Sequence, residues 1–255
     1  MPGFSEELLF ELPEEKNAQC SVAWNPWHGC RRYSEGCRNC YVYRIDSAHG
    51  IDASSVKKTK AFSLPLDKGK GGRYRIPYGS FVYACFSSDF FIDAADKWRP
   101  QAWEMMRIRK DLRFFMITKR IIRAASLLPD YWDEIKDKVD IACTMENQQE
   151  ADKRLSAYKS FPVCRHTIIC EPLLGPINFS SLKGIDCISV GGESGTGARI
   201  CSYSWVLGIR EQCMAAGVSF RFKQTGAKFE KEGKIFSIPR SLQHLQAAKA
   251  GINLP

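Results

Sequence analysis

The chain of 255 residues contains no run of eighteen apolar residues, so a membrane-spanning helix is not expected. It also lacks internal repeats, coiled-coil heptads and low-complexity tracts, which sets aside solenoid and fibrous architectures. The opening segment, MPGFSEELLFELPEEK, is acidic and lacks the basic-then-apolar order of a secretory leader. The expected compartment is therefore the cytoplasm. The eleven cysteines are odd in number, so they cannot all pair with one another. Most lie in apolar stretches such as YACFSSDFF, DIACTMEN and TIICEPLL, where a free cysteine packs as a small hydrophobe. The chain is too long for a small disulfide scaffold, and a reducing compartment fits.

What is present is the composition of a folded chain: 44% hydrophobic residues against 25% charged ones, enough to fill a core. The net charge of +9 is dispersed, with local groups at Lys57, Lys58 and Lys60 and at Lys68, Lys70, Arg73 and Arg75. Such charge fits either a solvated basic surface or a nucleic-acid partner.

Six apolar, β-rich runs are expected as strands: Phe81–Phe86, Arg113–Ile117, Val139–Thr144, His166–Cys170, Cys187–Val190 and Val218–Lys223. CSVAW reads as a short first strand. Helical spacing joins Trp98, Ala102, Met105 and Arg109, then Ala151, Leu155 and Tyr158, then Trp205, Ile209, Cys213 and Ala216, with Gly217 ending the last. The tail from Ile238 reads as a closing helix capped by Ser237, with Pro239 in its first turn. Strand and helix in alternation imply a parallel sheet with crossover helices. Polar or reactive residues follow each strand, at Ser87–Asp89, Thr118–Arg120, Met145–Asn147, Glu171–Pro172, Gly191–Ser194 and Lys223–Gln224. That placement favours a partial or variant TIM-like barrel with outer helices, whose strand ends share one rim. A doubly wound sheet would gather its site at one switch point. The whole chain, 1–255, is read as a single α/β domain, with 57–77 as a loop excursion: a lid, a substrate arm or a variable surface loop.

The segment GCRRYSEGCRNCYVYR carries Cys30, Cys37 and Cys40 within eleven residues. A structural zinc site needs four ligands, which His28 or His49 would have to complete. Three thiolates on one loop also suit a [4Fe–4S] cluster with one iron left open to a small molecule. Gly29 and Gly36 allow tight turns beside the ligands, and Tyr41 would pack against a cofactor or the core. Trp24, Trp27 and His28 flank the loop's start, as a shield or as plain core.

At these residues the chain resembles the phage and bacterial three-cysteine-motif proteins, a family of unknown function called phage-protein-like. The matching pieces are WNPWHGCRRYSEGCRNCY, CFSSDFF, ITKR, EPLLGPI, GGESGTGAR and FKQTG, spread from about Trp24 to Gly226. That family is similar to radical-SAM proteins. The resemblance implies a variant barrel, a [4Fe–4S] cluster, S-adenosylmethionine (SAM) as second cofactor, an external electron donor and a three-cysteine-motif partner protein. The commonest radical-SAM motif places three residues between its first two cysteines; here six intervene. The Gly-Gly-Glu-like segment of those proteins corresponds in order to Ser87, Ser88 and Asp89, with Asp89 accepting from the SAM amine. Lys119 and Arg120 would hold the SAM carboxylate or a substrate phosphate, or pair with Glu146 or Glu171. Glu146, Asn147, Glu171 and Glu193 are candidates for ribose hydroxyls or substrate donors, and Arg199 and Lys223 for an anionic substrate. Cys143, Cys164, Cys170, Cys187 and Cys201 are read as packing residues, or as a hydrogen-atom donor among them.

Two classes of function follow. One is a radical-SAM-like enzyme modifying an unidentified, nucleic-acid-related substrate. The other is a zinc- or cluster-stabilised nucleic-acid-binding or accessory protein without SAM cleavage.

Overall fold

A computed structural model of the protein describes residues 20–255, so the acidic opening segment lies outside the described residues. The chain enters with β1 (Ser21–Trp24), β2 (Trp27–His28), α1 (Tyr41–Ala48) and β3 (Lys57–Lys58). The alternating part follows: β4 (Phe81–Ala84), α2 (Arg99–Ile108), β5 (Arg113–Thr118), α3 (Ile121–Ala124), β6 (Val139–Thr144), α4 (Gln148–Lys159), β7 (Thr167–Cys170) and β8 (Cys187–Gly191). Last come β9 (Ile200–Ser202), α5 (Tyr203–Ala216), β10 (Ser219–Gln224), β11 (Lys228–Lys231), β12 (Lys234–Ser237) and α6 (Arg240–Lys249).

Seven of these strands make one sheet in the order β1-β4-β5-β6-β7-β8-β10, every neighbouring pair parallel. The expected runs are all present as strands. The order proceeds in one direction without reversal, so the sheet has no switch point of the doubly wound kind. Parallel strands with crossovers of one hand place all their helices on one face. The packing agrees. Val82, Phe114, Met116, Ile141, Ile168, Ile188 and Phe220 share one buried cluster with Met105 of α2, Leu155 of α4 and Ile209 of α5. The opposite face, with Phe81, Tyr83, Phe115, Ala142 and Ile169, makes a second buried cluster that has no helical member. The ladder ends at β1 and β10, and closure into a barrel is not part of it among the described residues.

Gly217 ends α5 in the left-handed conformation, φ +67°, as its position in the sequence predicts. The cap of α6 differs from expectation. Ser237 closes β12 and Pro239 takes the N-cap place with no side-chain cap bond, because the hairpin β11–β12 uses the residues before it. That hairpin joins β9 in a separate three-stranded sheet. Segment 57–77 is irregular but anchored. Trp24 donates from Nε1 to Phe62 O, and the buried Arg109 donates to Pro65 O and Ile76 O. Arg109 precedes β5, so the stretch around Lys68–Arg75 lies by the strand starts, away from the strand ends. Trp24 and Trp27 are core residues, fully buried. No helix among the described residues is long and apolar enough to cross a membrane.

Candidate functional site

The cysteine loop is threaded across the C-terminal ends of the strands. It begins at Gly29, whose φ of +89° excludes most side chains; an added Cβ would lie 2.5 Å from Ser55 O. Gly29 N–H donates to Ser87 O and Cys30 N–H to Ala53 O. Ser88 Oγ donates to Gly29 O, and Ser87 Oγ to Trp27 O. Ser87 and Ser88 thus clamp the loop's entrance. A 3-10 turn, Glu35–Cys37, then leads to Cys40, the N-cap of α1.

Three carboxylates from three strand ends hold this loop. The first is Asp89, after β4. It accepts five hydrogen bonds: from Phe91 N, twice from Thr118 Oγ1, from Lys119 N and from Arg120 Nη1. Arg120 in turn donates from Nη2 to Arg31 O at 2.7 Å and from Nη1 toward Cys30 Sγ at 3.9 Å. The second is Glu146, fully buried after β6. Its Oε1 accepts from the Ser34 hydroxyl and from Gly36 N–H, and its Oε2 from Arg154 Nη1 at 2.8 Å. The third is Glu193, after β8, which accepts from Asn39 Nδ2 at 2.8 Å and from Arg199 through Nε and Nη2. Arg199 Nη1 returns to Glu35 O. Each staple falls between or beside two of the cysteines. Carboxylates this buried persist only with such partners.

The thiols themselves are free and partly buried. Burial and the Asp89 carboxylate push the Cys30 thiol up to about 11, with Arg120 opposing and Cys37 and Cys40 adding to the rise. Burial also raises Cys40, against the Val42 amide and Lys119, which pull it down. Among the described residues, no three His, Cys, Asp or Glu side chains are arranged to hold one metal ion. A tetrahedral zinc with bonds of about 2.3 Å would draw its sulfurs to within roughly 4 Å of one another. A cluster asks for less convergence, since each thiolate ligates a different iron. The histidines suggested for zinc are engaged: His28 Nε2 lies 2.8 Å from Asp46 Oδ2, and His49 Nδ1 2.8 Å from Ile45 O.

The other predicted residues divide into two groups. Lys119 stays near the loop: its charge acts on Cys40 and Glu146, yet its ammonium has no hydrogen bond or salt bridge among the described residues. Glu171 belongs to a separate polar set, accepting from Ser189 Oγ at 2.9 Å and from Lys223 Nζ at 3.1 Å. Ser189 shares the helix-free face with Ile169 by register. Thr144, at the end of β6 on that same face, has a buried hydroxyl without a partner among the described residues. Asn147 caps α4 by accepting from Glu150 N–H. Tyr41 donates to Phe86 O, and burial pushes its phenol well up. Cys143, Cys170, Cys187 and Cys201 are buried, and Cys164 is exposed. Arg154 escapes sequence reading altogether. The Glu150–Arg154 spacing on α4 signals a helix-face pair, but nothing local reveals that Arg154 also reaches Glu146.

A family model described as "Protein of unknown function (DUF5131)" matches residues 16–254. The chain belongs to this family. As a DUF5131 protein it carries the cysteine loop, all the main-sheet strands and the three stapling carboxylates within the matched region. No curated protein and no solved structure matches the chain.

Proposed function

We propose that this protein is a radical-SAM-like iron–sulfur enzyme, with Cys30, Cys37 and Cys40 as the cluster ligands. One observation carries the reading: a loop of three free, partly buried thiols is held across the ends of a parallel sheet by carboxylates from three of its strands. The single-direction strand order and a buried face without helices support a sheet curled as a partial barrel around that face. Bound at the loop, a [4Fe–4S] cluster would pass one electron from an external donor to SAM and so cleave it.

The chain's own residues take distinct roles in this reading. Asp89 spends its acceptors on Thr118, Lys119 and Arg120, and so positions Arg120 against Cys30 rather than meeting the SAM amine. Lys119, a rim cation without a hydrogen bond or salt bridge among the described residues, receives a carboxylate. Glu171, Ser189 and Lys223 offer both signs of charge beside the helix-free face and orient a polar substrate or ribose. The apolar band of Tyr83, Phe115 and Ile169 excludes water below them.

The test is Mössbauer spectroscopy of iron-57-labelled protein purified without air, with and without SAM. A [4Fe–4S] signal with one iron site altered by SAM supports the enzyme. Stoichiometric zinc and no cluster after anaerobic reconstitution sinks it.

A further inference from the structure

Charge is unevenly placed along this chain. Residues 27–78 hold eleven Lys and Arg against four Asp and Glu, a surplus of seven out of a net charge of +9. The fold divides these cations. Lys68, Lys70, Arg73 and Arg75 lie by the strand starts. Arg32, Arg38 and Lys57 lie at the cysteine loop: two on it, and Lys57 paired in register with His28 of the strand that enters it. All three are exposed, and none has a salt bridge among the described residues. Lys119 adds a fourth cation without a hydrogen bond or salt bridge among the described residues, its charge acting on Cys40 and Glu146. The nearby acids are engaged: Glu35 by Arg199, Asp46 by His28, and Asp52 by Ser54, with the Lys57 charge acting on it.

Arg32 lies 4.2 Å from the centroid of the Tyr43 ring, and a second aromatic ring, Tyr33, follows it on the loop. Tyr33 is 48% exposed, and the guanidinium carbons of Arg120 and Arg154 lie 4.9 and 5.5 Å from its ring centroid. A cation-backed ring with an open side is a platform for another flat π-system. Cations without a salt bridge on and beside the loop that carries such a ring match a strand of phosphates with a base turned out of its stack. An acidic peptide would satisfy the cations and leave the ring without a role. A duplex would keep its bases from the ring.

We propose that single-stranded nucleic acid docks over the cysteine loop, its phosphates on Arg32, Arg38 and Lys57 and one base on Tyr33. That the docked strand is the substrate rests on the proposed function; the docking does not.

The experiment is fluorescence anisotropy, over a range of salt, with labelled single-stranded DNA, RNA of the same sequence and the DNA duplex. Each oligonucleotide is longer than the ~4–16 nucleotides one small module covers. The full chain, purified without air, is compared with R32S/R38S/K57S, with Y33A and with the charge-matched control K68S/K70S/R73S. Iron is measured in every preparation. Three phosphate contacts predict a log–log salt slope of about −2 for a single strand. The triple variant should bind at least about tenfold more weakly with a slope near zero. Y33A should lose about fivefold with the slope kept, and the control should match the unmutated chain. DNA and RNA arms decide which strand is preferred. No binding of either single strand at low salt overturns the proposal, as does equal loss in the triple variant and the control, or tighter binding of duplex unmoved by Y33A. Iron separates the two readings: docking without iron removes the enzyme and keeps the surface, whereas iron without docking does the reverse.

Discussion

Arg120 reaches from the end of β5 to the sulfur of Cys30, with Nη1 3.9 Å from Sγ and 3.0 Å from Asp89 Oδ2. One guanidinium thus ties a buried carboxylate to the first thiol of the loop. A donor to a ligating sulfur withdraws electron density from the metal group and makes it easier to reduce. If the loop holds the proposed cluster, Arg120→Met is therefore expected to lower its midpoint potential by tens of millivolts, and Arg120→Lys by less. A redox titration followed by electron paramagnetic resonance reads this. An unmoved potential would reduce Arg120 to a staple for Arg31 O.

The three loop cysteines should act as a set. Cys30→Ser, Cys37→Ser and Cys40→Ser are each expected to strip most of the iron and acid-labile sulfide from the anaerobic protein. Cys164→Ser, at an exposed position outside the loop, should leave both unchanged. Equal iron in all four variants would remove the loop from the metal chemistry.

Glu146 and Arg154 are both fully buried and lie 2.8 Å apart. Removing one partner of a buried pair leaves an uncompensated charge, which costs about 3–5 kcal/mol. Glu150 still pairs with Arg154, which places Glu146→Ala near the lower figure, about 3 kcal/mol. It also frees Gly36 N–H and Ser34. Urea unfolding measures the loss, and the variant should retain less iron than the unmutated chain, since the loop is no longer pinned from below.

Acid should weaken the same staples. Burial acts to raise Glu146, but Lys119, Arg154 and Ser34 outweigh it; at Glu193 burial is outweighed by Arg199 and Asn39. Both carboxyls lie below their ordinary value. A group whose pKa is lower folded than unfolded stabilises fully above the unfolded value, about 4.3 for Glu, and loses that contribution as pH falls through its folded value. The urea midpoint should thus fall steeply below about pH 4.3 and less steeply in Glu146→Gln. A parallel fall in both would place the acid sensitivity elsewhere.

Gly29 opens the loop in a conformation that L side chains avoid. Gly29→Ala must relieve both a φ of +89° and a 2.5 Å approach to Ser55 O. Backbone strain of this kind costs of order 1–3 kcal/mol. The expected outcome is a lowered melting temperature together with reduced iron loading. Gly50, whose added Cβ meets nothing within 4 Å, should tolerate alanine better despite its φ of +67°.

Much of the scaffold was legible in order along the chain. β5 and β6 are dense in apolar residues and bounded by charge, and Gly217 ends α5 where only a residue free of Cβ sits easily. The cysteine loop and the polar residues at each strand end could be read for the same reason: strand length, helix periodicity and turn chemistry are local properties. By themselves, then, the residues determined a parallel α/β sheet with its reactive types at the strand ends. Only the tertiary structure decided what those residues do. Asp89, Glu146 and Glu193 look alike in the sequence as rim carboxylates free to meet a ligand. Folded, they are the staples of the cysteine loop, because the loop lies far from them along the chain: Gly36 is 110 residues from Glu146, Asn39 is 154 from Glu193, and Asp89 reaches Arg31 only through Arg120, 89 residues from it. Lys119 is the converse, one more rim cation in the sequence and, among the described residues, one without a hydrogen bond or salt bridge. The small sheet of β9, β11 and β12 went unread as well, since its strands are short, partly exposed and paired across a helix. A buried charge takes its meaning from whatever satisfies it, and that partner is set by the path of the whole chain.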